Sequence, residues 1–382
     1  MSKAPNKNIQ YDVVIISPFA SPEKGANVER VEHLQKFFNT HGVATTIWSP
    51  LRNKSEMEKI WRYPTIYALI SSIWNDPPKV IIGTSPPMTH AAIAAIVCFI
   101  RGVPFILDVR DPWPDAAQKI GLYSKKGLKF WTYKVLEHIT YHLTEQAWVV
   151  SPYLKNWLTQ HMPPQKIYII SNGTLPQRFK PSVSVRKRMR ARYAIPTNAL
   201  TILFSGDFSS HGLEEFLAKT IPTFKKNHTT LILATTFNNY KNEKYWIDIF
   251  EKNSFKSFRL IDLPKLSDKE VSDIFAMSDW GVTLVPDILP YMIPVKTYDY
   301  IASGLFVFAR APSNGALTSF IIRHNLGTVV KSDELAVKEL DAILSKTEEW
   351  RKIAAQNRAT SLTFSRDQQA QKALQLIKKW IK

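Results

Sequence analysis

Lys296 and Asp299 stand three apart behind Pro294 in the stretch IPVKTYDYIASGLFVFA, residues 293–309. A proline suits the first position of a helix, where its missing N–H would have no partner anyway. Residues three apart then share one helical face. A helix N-terminus with a lysine in its first turn suits a diphosphate, because free backbone N–H groups and the helix dipole both favour negative charge. An acid one turn further on can accept hydrogen bonds from sugar hydroxyls. Gly304 ends the helix before an apolar strand. An ordinary capped helix with an exposed Lys–Asp pair has the same pattern, and periodicity does not separate the two.

A second stretch, FILDVRDPWPDA at residues 105–116, ends an apolar strand in Asp108, Arg110 and Asp111, and prolines 112 and 114 stop the strand from continuing. Charges at the carboxyl end of a buried strand lie where α/β sheets bind ligands. Arg110 offers a forked set of donors to a phosphate or a sugar hydroxyl. A structural Arg–Asp pair ordering the Pro-Trp-Pro turn is the alternative. His138 and His142 are spaced as paired metal ligands, but no Glu follows His138 and no third ligand is evident. There is no Asp-x-Asp, Gly-x-Gly-x-x-Gly or Walker loop.

These residues need a scaffold, and the chain supplies one twice. Short runs rich in Val, Ile and aromatics alternate with helical patterns. In the first half they are YDVVIISPF, TTIWSP, KVIIGTS, PFILDV, QAWVVS and IYIISNG; in the second, TILFSGD, TTLILAT, FRLIDLP, WGVTLVP, LFVFAR and GTVVK. Such alternation predicts parallel sheets covered by helices. VERVEHLQKFFNTHG places Val31, Leu34, Phe37 and Phe38 on one face with Gly42 as a stop. SDKEVSDIFAMS opens with a Ser267–Glu270 capping box. The fold class is therefore α/β, with two doubly wound, Rossmann-like domains facing across a cleft. The predicted division is 1–175, a linker at 176–200 with one short basic helix, 201–346, and a helical tail at 347–382.

Composition narrows the partners. With 382 residues the chain exceeds one ordinary domain. A single cysteine, Cys98, rules out a disulfide framework and fits a reducing compartment. The apolar stretch before residue 105 is cut by Arg101, Gly102 and Pro104 after about ten residues, short of the ~20 a spanning helix needs. A net charge of +18 asks for an acidic partner: nucleic acid, anionic lipid or a phosphate-bearing substrate. KIGLYSKKGLKFWTYK, residues 119–134, has five lysines and no acid, interleaved with Leu, Phe, Trp and Tyr. That is the composition of an anionic-membrane-surface helix, or of a solvated helix whose aromatics pack inward.

The 293–309 segment resembles the donor-site helix of glycosyltransferase family 4, retaining enzymes with two Rossmann-like domains (the GT-B architecture). The family pattern Pro-x-Lys-x-x-Glu-Tyr-x-Ala-x-Gly is met by Pro294, Lys296, Asp299, Tyr300, Ala302 and Gly304, with Asp299 in place of Glu. GTSPPMTHAAIAAIVCFIRGVPFILDVRDPWPDAA, SPYLKNWL and IYIISNGT resemble a subgroup of amino-sugar, O-antigen and capsule transferases. The resemblance implies donor binding by Gly206, His211, Gly212, Pro294, Tyr300 and Gly304. It implies catalytic roles for Lys296, Asp299 and Arg110, and places Gly25, Asn27 and Asp111 on the acceptor side of the cleft. It also implies that the tail crosses back to the first domain. Three positions depart from the family: Tyr291 where a second acid is usual, and Asp207 and His211 where an arginine and a lysine usually meet the diphosphate. His211 then serves as a neutral donor or as a helix cap.

The activity implied is retaining transfer of a sugar from a nucleotide sugar, a UDP-sugar, to a glycan or a polyprenyl-diphosphate-linked saccharide in cell-surface polysaccharide synthesis. No metal or other cofactor is implied, and the expected location is the cytoplasmic face of the membrane, peripherally bound. A sugar-nucleotide epimerase of the same architecture is the rival enzyme, although no acid/base pair for the sugar ring stands out. A basic nucleic-acid-binding protein is the rival of another class, and no recognisable module for it appears.

Overall fold

The computed structural model describes residues 10–21, 23, 25–49, 63–206, 212–238 and 240–382. The chain divides into two compact units, the first of residues 1–172 and 366–382, the second of residues 173–365.

In the first unit the strands are β1 (Val13–Ile16), β2 (Thr45–Trp48), β3 (Val80–Ser85), β4 (Phe105–Val109), β5 (Gln146–Val149) and β6 (Ile167–Ile169). Its helices are α1 (Ala26–Thr40), α2 (Tyr63–Asn75), α3 (Met88–Arg101), α4 (Asp115–Lys119), α5 (Leu128–Leu143) and α6 (Pro152–Leu158). The six-stranded sheet is parallel throughout, in the order β2-β1-β3-β4-β5-β6. Every residue of β3 and β4 is buried, as fits strands covered on both faces. Val31, Leu34 and Phe38 of α1 pack into the core with Phe37 at its margin.

In the second unit α7 (Val183–Arg192) precedes the sheet. Strands β7 (Thr201–Ser205), β8 (Thr230–Thr235), β9 (Phe258–Asp262), β10 (Trp280–Leu284), β11 (Phe306–Arg310) and β12 (Gly327–Val330) alternate with helices. Those helices are α8 (Leu213–Lys226), α9 (Glu243–Lys252), α10 (Asp268–Met277), α11 (Val295–Ala302), α12 (Ala316–His324), α13 (Asp333–Leu344) and α14 (Thr347–Thr363). The sheet is again six-stranded and parallel, in the order β12-β11-β10-β7-β8-β9. Each of the twelve apolar runs read from the sequence forms its strand, and α10 carries the Ser267–Glu270 capping box.

Two boundaries differ from the sequence reading. The basic helix α7, expected in a linker, belongs to the second unit because its arginines bond to α10 and the β10 entry. The tail does not move as one piece. Trp350 and Ala354 of α14 join the second core, and only α15 (Arg366–Ile381) belongs to the first unit. There Ala370, Ala373, Leu374 and Ile377 pack beside α1, and Arg366 pairs with Glu29 at 2.6 Å. This spends the tail's apolar face on the core.

In the second unit, the connection from β7 runs to one side of the sheet and that from β10 to the other. The β7–β10 boundary is therefore a topological switch point, where doubly wound sheets leave a crevice at the carboxyl ends.

Candidate functional site

At that switch point α11 presents its N-terminus. Pro294 has φ −57 and directly precedes the helix, and no side chain caps it. The Lys296 ammonium lies 3.3 Å from Asp299 Oδ2 and 5.6 Å from the centre of the Phe275 ring. Its side chain is 34% exposed against 4% for Asp299. Asp299 Oδ1 accepts the hydroxyl of the fully buried Thr174 at 2.8 Å. The pair is thus no solvated surface contact: the carboxylate is buried and engaged on both oxygens, and the ammonium is left at the surface. This geometry favours the ligand-site pattern over the exposed Lys–Asp pair that periodicity allowed.

Gly206 follows β7 with φ +133, a conformation that side chains rarely adopt, and a Cβ there would stand 4.0 Å from Lys296 Cγ. The lysine stem therefore lies along the β7 exit. Gly212, with φ +67, precedes α8. Residues 207–211, with Asp207 and His211, lie outside the described residues.

Arg310 escaped the sequence reading. It closes β11, and a Cβ on Gly212 would stand 3.0 Å from its Nη2. Its Nε lies 3.2 Å from Asp333 at the start of α13. The signal was present: LFVFAR ends an apolar strand in a charge, as FILDVR does.

Two expected donor-binding residues do other work. Tyr300 is fully buried. Its hydroxyl accepts from Ser205 N at 3.0 Å and donates to Val282 O at 3.2 Å, bridging β7 and β10 where their pairing ends at Phe204 and Val282. Its ring lies on Gly281, where a Cβ would come within 2.2 Å. Tyr300 shapes the crevice from beneath. Gly304 lies at the other end of α11, near Pro181 and Ala354, because the eight-residue helix carries it about 12 Å from the first turn. Tyr291, at the position of the usual second acid, is 6% exposed.

In the first unit Asp108 is the hub. It is fully buried and takes both Nε and Nη2 of Arg30 on α1, at 2.9 and 2.7 Å, with Arg110 Nε at 3.3 Å. Arg30 also donates to Ser171 O at 2.9 Å. Burial alone would push Asp108 up, but the two guanidiniums outweigh it and hold the carboxyl below its ordinary range. Arg110 is 8% exposed, and its Nη2 is buried without a hydrogen-bond partner. Two cations share one carboxylate. Asp111, half-buried, is pushed by its desolvation up to about 6, which the neighbouring Arg110 offsets only in part. Gly25, exposed with φ +143, and half-buried Asn27 stand at the N-terminal end of α1.

The 119–134 segment is not one helix. Lys119 ends α4, a loop follows, and α5 starts at Leu128. Leu122, Leu128 and Trp131 are 61%, 84% and 56% exposed, so the apolar groups do not all fold inward, although Phe130 does. Lys125, Lys126 and Lys129 are exposed beside them. Lys134 turns inward to Glu137 and Asp115.

Other candidates carry less. His138 and His142 lie with ring centres 4.2 Å apart, and no group of three possible metal ligands occurs among the described residues. A cavity of about 410 Å³ in the second unit lies at the amino ends of β7 and β10, away from Lys296, and is lined by Arg186, Asp279, Trp350 and Arg351 among others. No helix among the described residues is long and apolar enough to cross a membrane.

Two parallel doubly wound units, each with charged groups at its strands' carboxyl ends, define a two-domain α/β fold of the GT-B type. Residues 8–178, most of the first unit, match the family described as Glycosyltransferase Family 4. Solved structures agree in fold. Sucrose-phosphate synthase from Thermosynechococcus elongatus has TM-score 0.73 at 14% identity, over 96% of this chain and 98% of that one. A glycosyltransferase from Rickettsia africae has TM-score 0.73 at 15% identity, covering 98% and 99%. HepE from Anabaena, in complex with UDP, has TM-score 0.71 at 13% identity, covering 96% and 100%. No curated protein matches the sequence significantly.

Proposed function

We propose that the protein transfers a sugar from a UDP-sugar to a hydroxyl of a growing glycan, with retention at the anomeric carbon and without a metal. The observation that carries this reading is Lys296, its side chain a third exposed and its ammonium held by buried Asp299 at the uncapped N-terminus of α11, on the switch point of a parallel sheet. Such a place offers N–H groups, a helix dipole and a cation to a leaving diphosphate. In support, HepE is described in complexes with UDP and with UDP-glucose.

As the glycosidic bond breaks, negative charge grows on the diphosphate, and Lys296 and the α11 N-terminus stabilise it. Arg310, beside Gly212, adds a second cation where Asp207 and His211 supply none of the usual pair. Asp299 fixes Lys296 and offers its remaining lone pairs to a ribose or sugar hydroxyl. The acceptor hydroxyl attacks from the face the diphosphate leaves, and its proton passes to the departing phosphate. On the first unit, Arg110 and Asp111, with Gly25 and Asn27, receive the acceptor or the transferred sugar. The acceptor is a polyprenyl-diphosphate-linked saccharide at the cytoplasmic membrane face. The exposed Leu122, Leu128 and Trp131 among lysines suit that surface.

Calorimetry with UDP, without metal, tests the donor site. Wild type binds in the micromolar range, and Lys296→Ala loses most of that affinity. Absence of UDP, GDP and other nucleotide binding sinks the reading. The membrane component is checked by sedimentation with phosphatidylglycerol vesicles, which Leu128→Glu with Trp131→Glu should abolish.

A further inference from the structure

We infer that Thr174 is a positioning residue for Lys296, acting through Asp299; the inference rests on the donor-site reading above. Thr174 lies on no helix or strand of either sheet, and its own place is fixed twice. Its N–H donates to Phe364 O at 3.0 Å, and it forms an isolated parallel bridge with Ser365. From there its hydroxyl reaches Asp299 Oδ1 at 2.8 Å, and Asp299 Oδ2 faces the Lys296 ammonium at 3.3 Å. Thr174 is 0% and Asp299 3% exposed.

Each link has a physical consequence. Lysine is a flexible four-carbon chain with a point charge, so its position is set by what holds it. Here Asp299 holds the ammonium, Phe275 lies on one side and the Gly206 exit runs along the stem. Aspartate is itself able to turn about χ2. The Thr174 hydroxyl donates to one oxygen and so aims the other at Lys296. A buried carboxylate without that donor would also lose part of the hydrogen bonding that stabilises its charge. The short Asp299 side chain keeps the carboxylate near its own helix and within reach of Thr174.

Remote supports matter at such a site because misplacing a charge-stabilising group by a fraction of an ångström weakens it strongly. Thr174→Val keeps the shape of the side chain and removes only the donor. We expect it to weaken UDP about tenfold and uridine distinctly less, since uridine lacks the diphosphate that Lys296 meets and keeps only the ribose that Asp299 can reach. Thr174→Ser should restore UDP binding to within about twofold. In an Asp299→Asn background, Thr174→Val should add little.

UDP affinity unchanged in a folded Thr174→Val protein, with Lys296→Ala still defective, overturns the relay and leaves the donor site standing. Should Thr174→Val fail to fold, Thr174→Ala is compared with Thr174→Ser in the same way. Should wild type bind no nucleotide, the donor-site reading fails, and the relay is judged without ligand. Lysines are reductively ¹³C-methylated, and the Lys296 resonance is identified by its loss in Lys296→Arg. A shift in Thr174→Val that reverts in Thr174→Ser supports the relay, and an unmoved resonance overturns it.

Discussion

Asp108 and Asp299 each hold cations at the carboxyl end of a parallel sheet, one in each unit, but they are built for different ends. Asp108 is enclosed, and its arginine partners are 5% and 8% exposed. Asp299 is enclosed too, yet its lysine partner is a third exposed. The first hub ties α1 to β4. The second ties a buried carboxylate to a charge that solvent or ligand can reach. The difference shows how to tell a charge that shapes a site from one that meets a substrate: the latter keeps a solvent-facing end.

Breaking each hub should separate these roles. The largest stability loss is expected at Asp108→Asn, which leaves two buried guanidiniums without their carboxylate and costs about 3–5 kcal/mol. Urea unfolding measures it. Because the Asp108 carboxyl is held below its ordinary range, its contribution is present above about pH 4 and fades as pH falls further. Lys296→Ala should show the opposite profile: unfolding within about 1 kcal/mol of wild type, since the ammonium is part-solvated, but a roughly ten- to hundredfold loss of UDP affinity. Equal stability losses in the two variants would collapse the distinction.

Asp111 sharpens the comparison by pH. Its carboxyl sits at about 6, above its ordinary value, so the folded protein holds a proton that the unfolded chain releases. The stability it contributes is complete below about pH 4 and is lost as pH rises through about 6. Asp111→Asn should remove that slope and stabilise the protein at pH 7 by about 1–2 kcal/mol. Thermal melts from pH 4 to 8 decide it; a variant with the wild-type slope argues against the assignment. The smallest effect is expected at Arg310. Already paired with Asp333, it should lower UDP affinity about three- to fivefold when changed to Ala, and less when changed to Lys. Calorimetry at two salt concentrations reads the difference, and no loss at either salt removes Arg310 from the donor site.

The two basic segments repeat the lesson at larger scale. VRKRMRAR, read as a short basic helix in a linker, has its arginines engaged at home. Arg186 meets Asp279 at 2.6 Å, Arg188 meets Asp273 at 2.8 Å, and Arg190 meets Asp279 at 2.8 Å as well as three backbone carbonyls of residues 196–199. The lysines at 125, 126 and 129 stay outward. Composition alone does not separate these segments, because charge counts do not say where the counter-charges fold.

The strands, the alternation, the capping box and the chemistry of Pro294-Val-Lys296 were legible because each is written in consecutive residues. Period-two and helical patterns, turn residues and a proline at a helix start act over a few positions. The neighbours of Arg310 and the burial of Tyr300 were not legible. The first depends on the end of β11 lying close to Gly212 at the start of α8. The second depends on a glycine nineteen positions upstream that lets the ring lie flat. Two parallel doubly wound sheets, and the short motifs at their carboxyl ends, can be read along the chain. Only the tertiary structure decided that Asp108 belongs to Arg30, that Asp299 belongs to Thr174, and that Lys296 remains available. Those pairings join residues 78 and 125 positions apart, and a chain that must bury its carboxylates selects their partners by proximity in space, not in sequence.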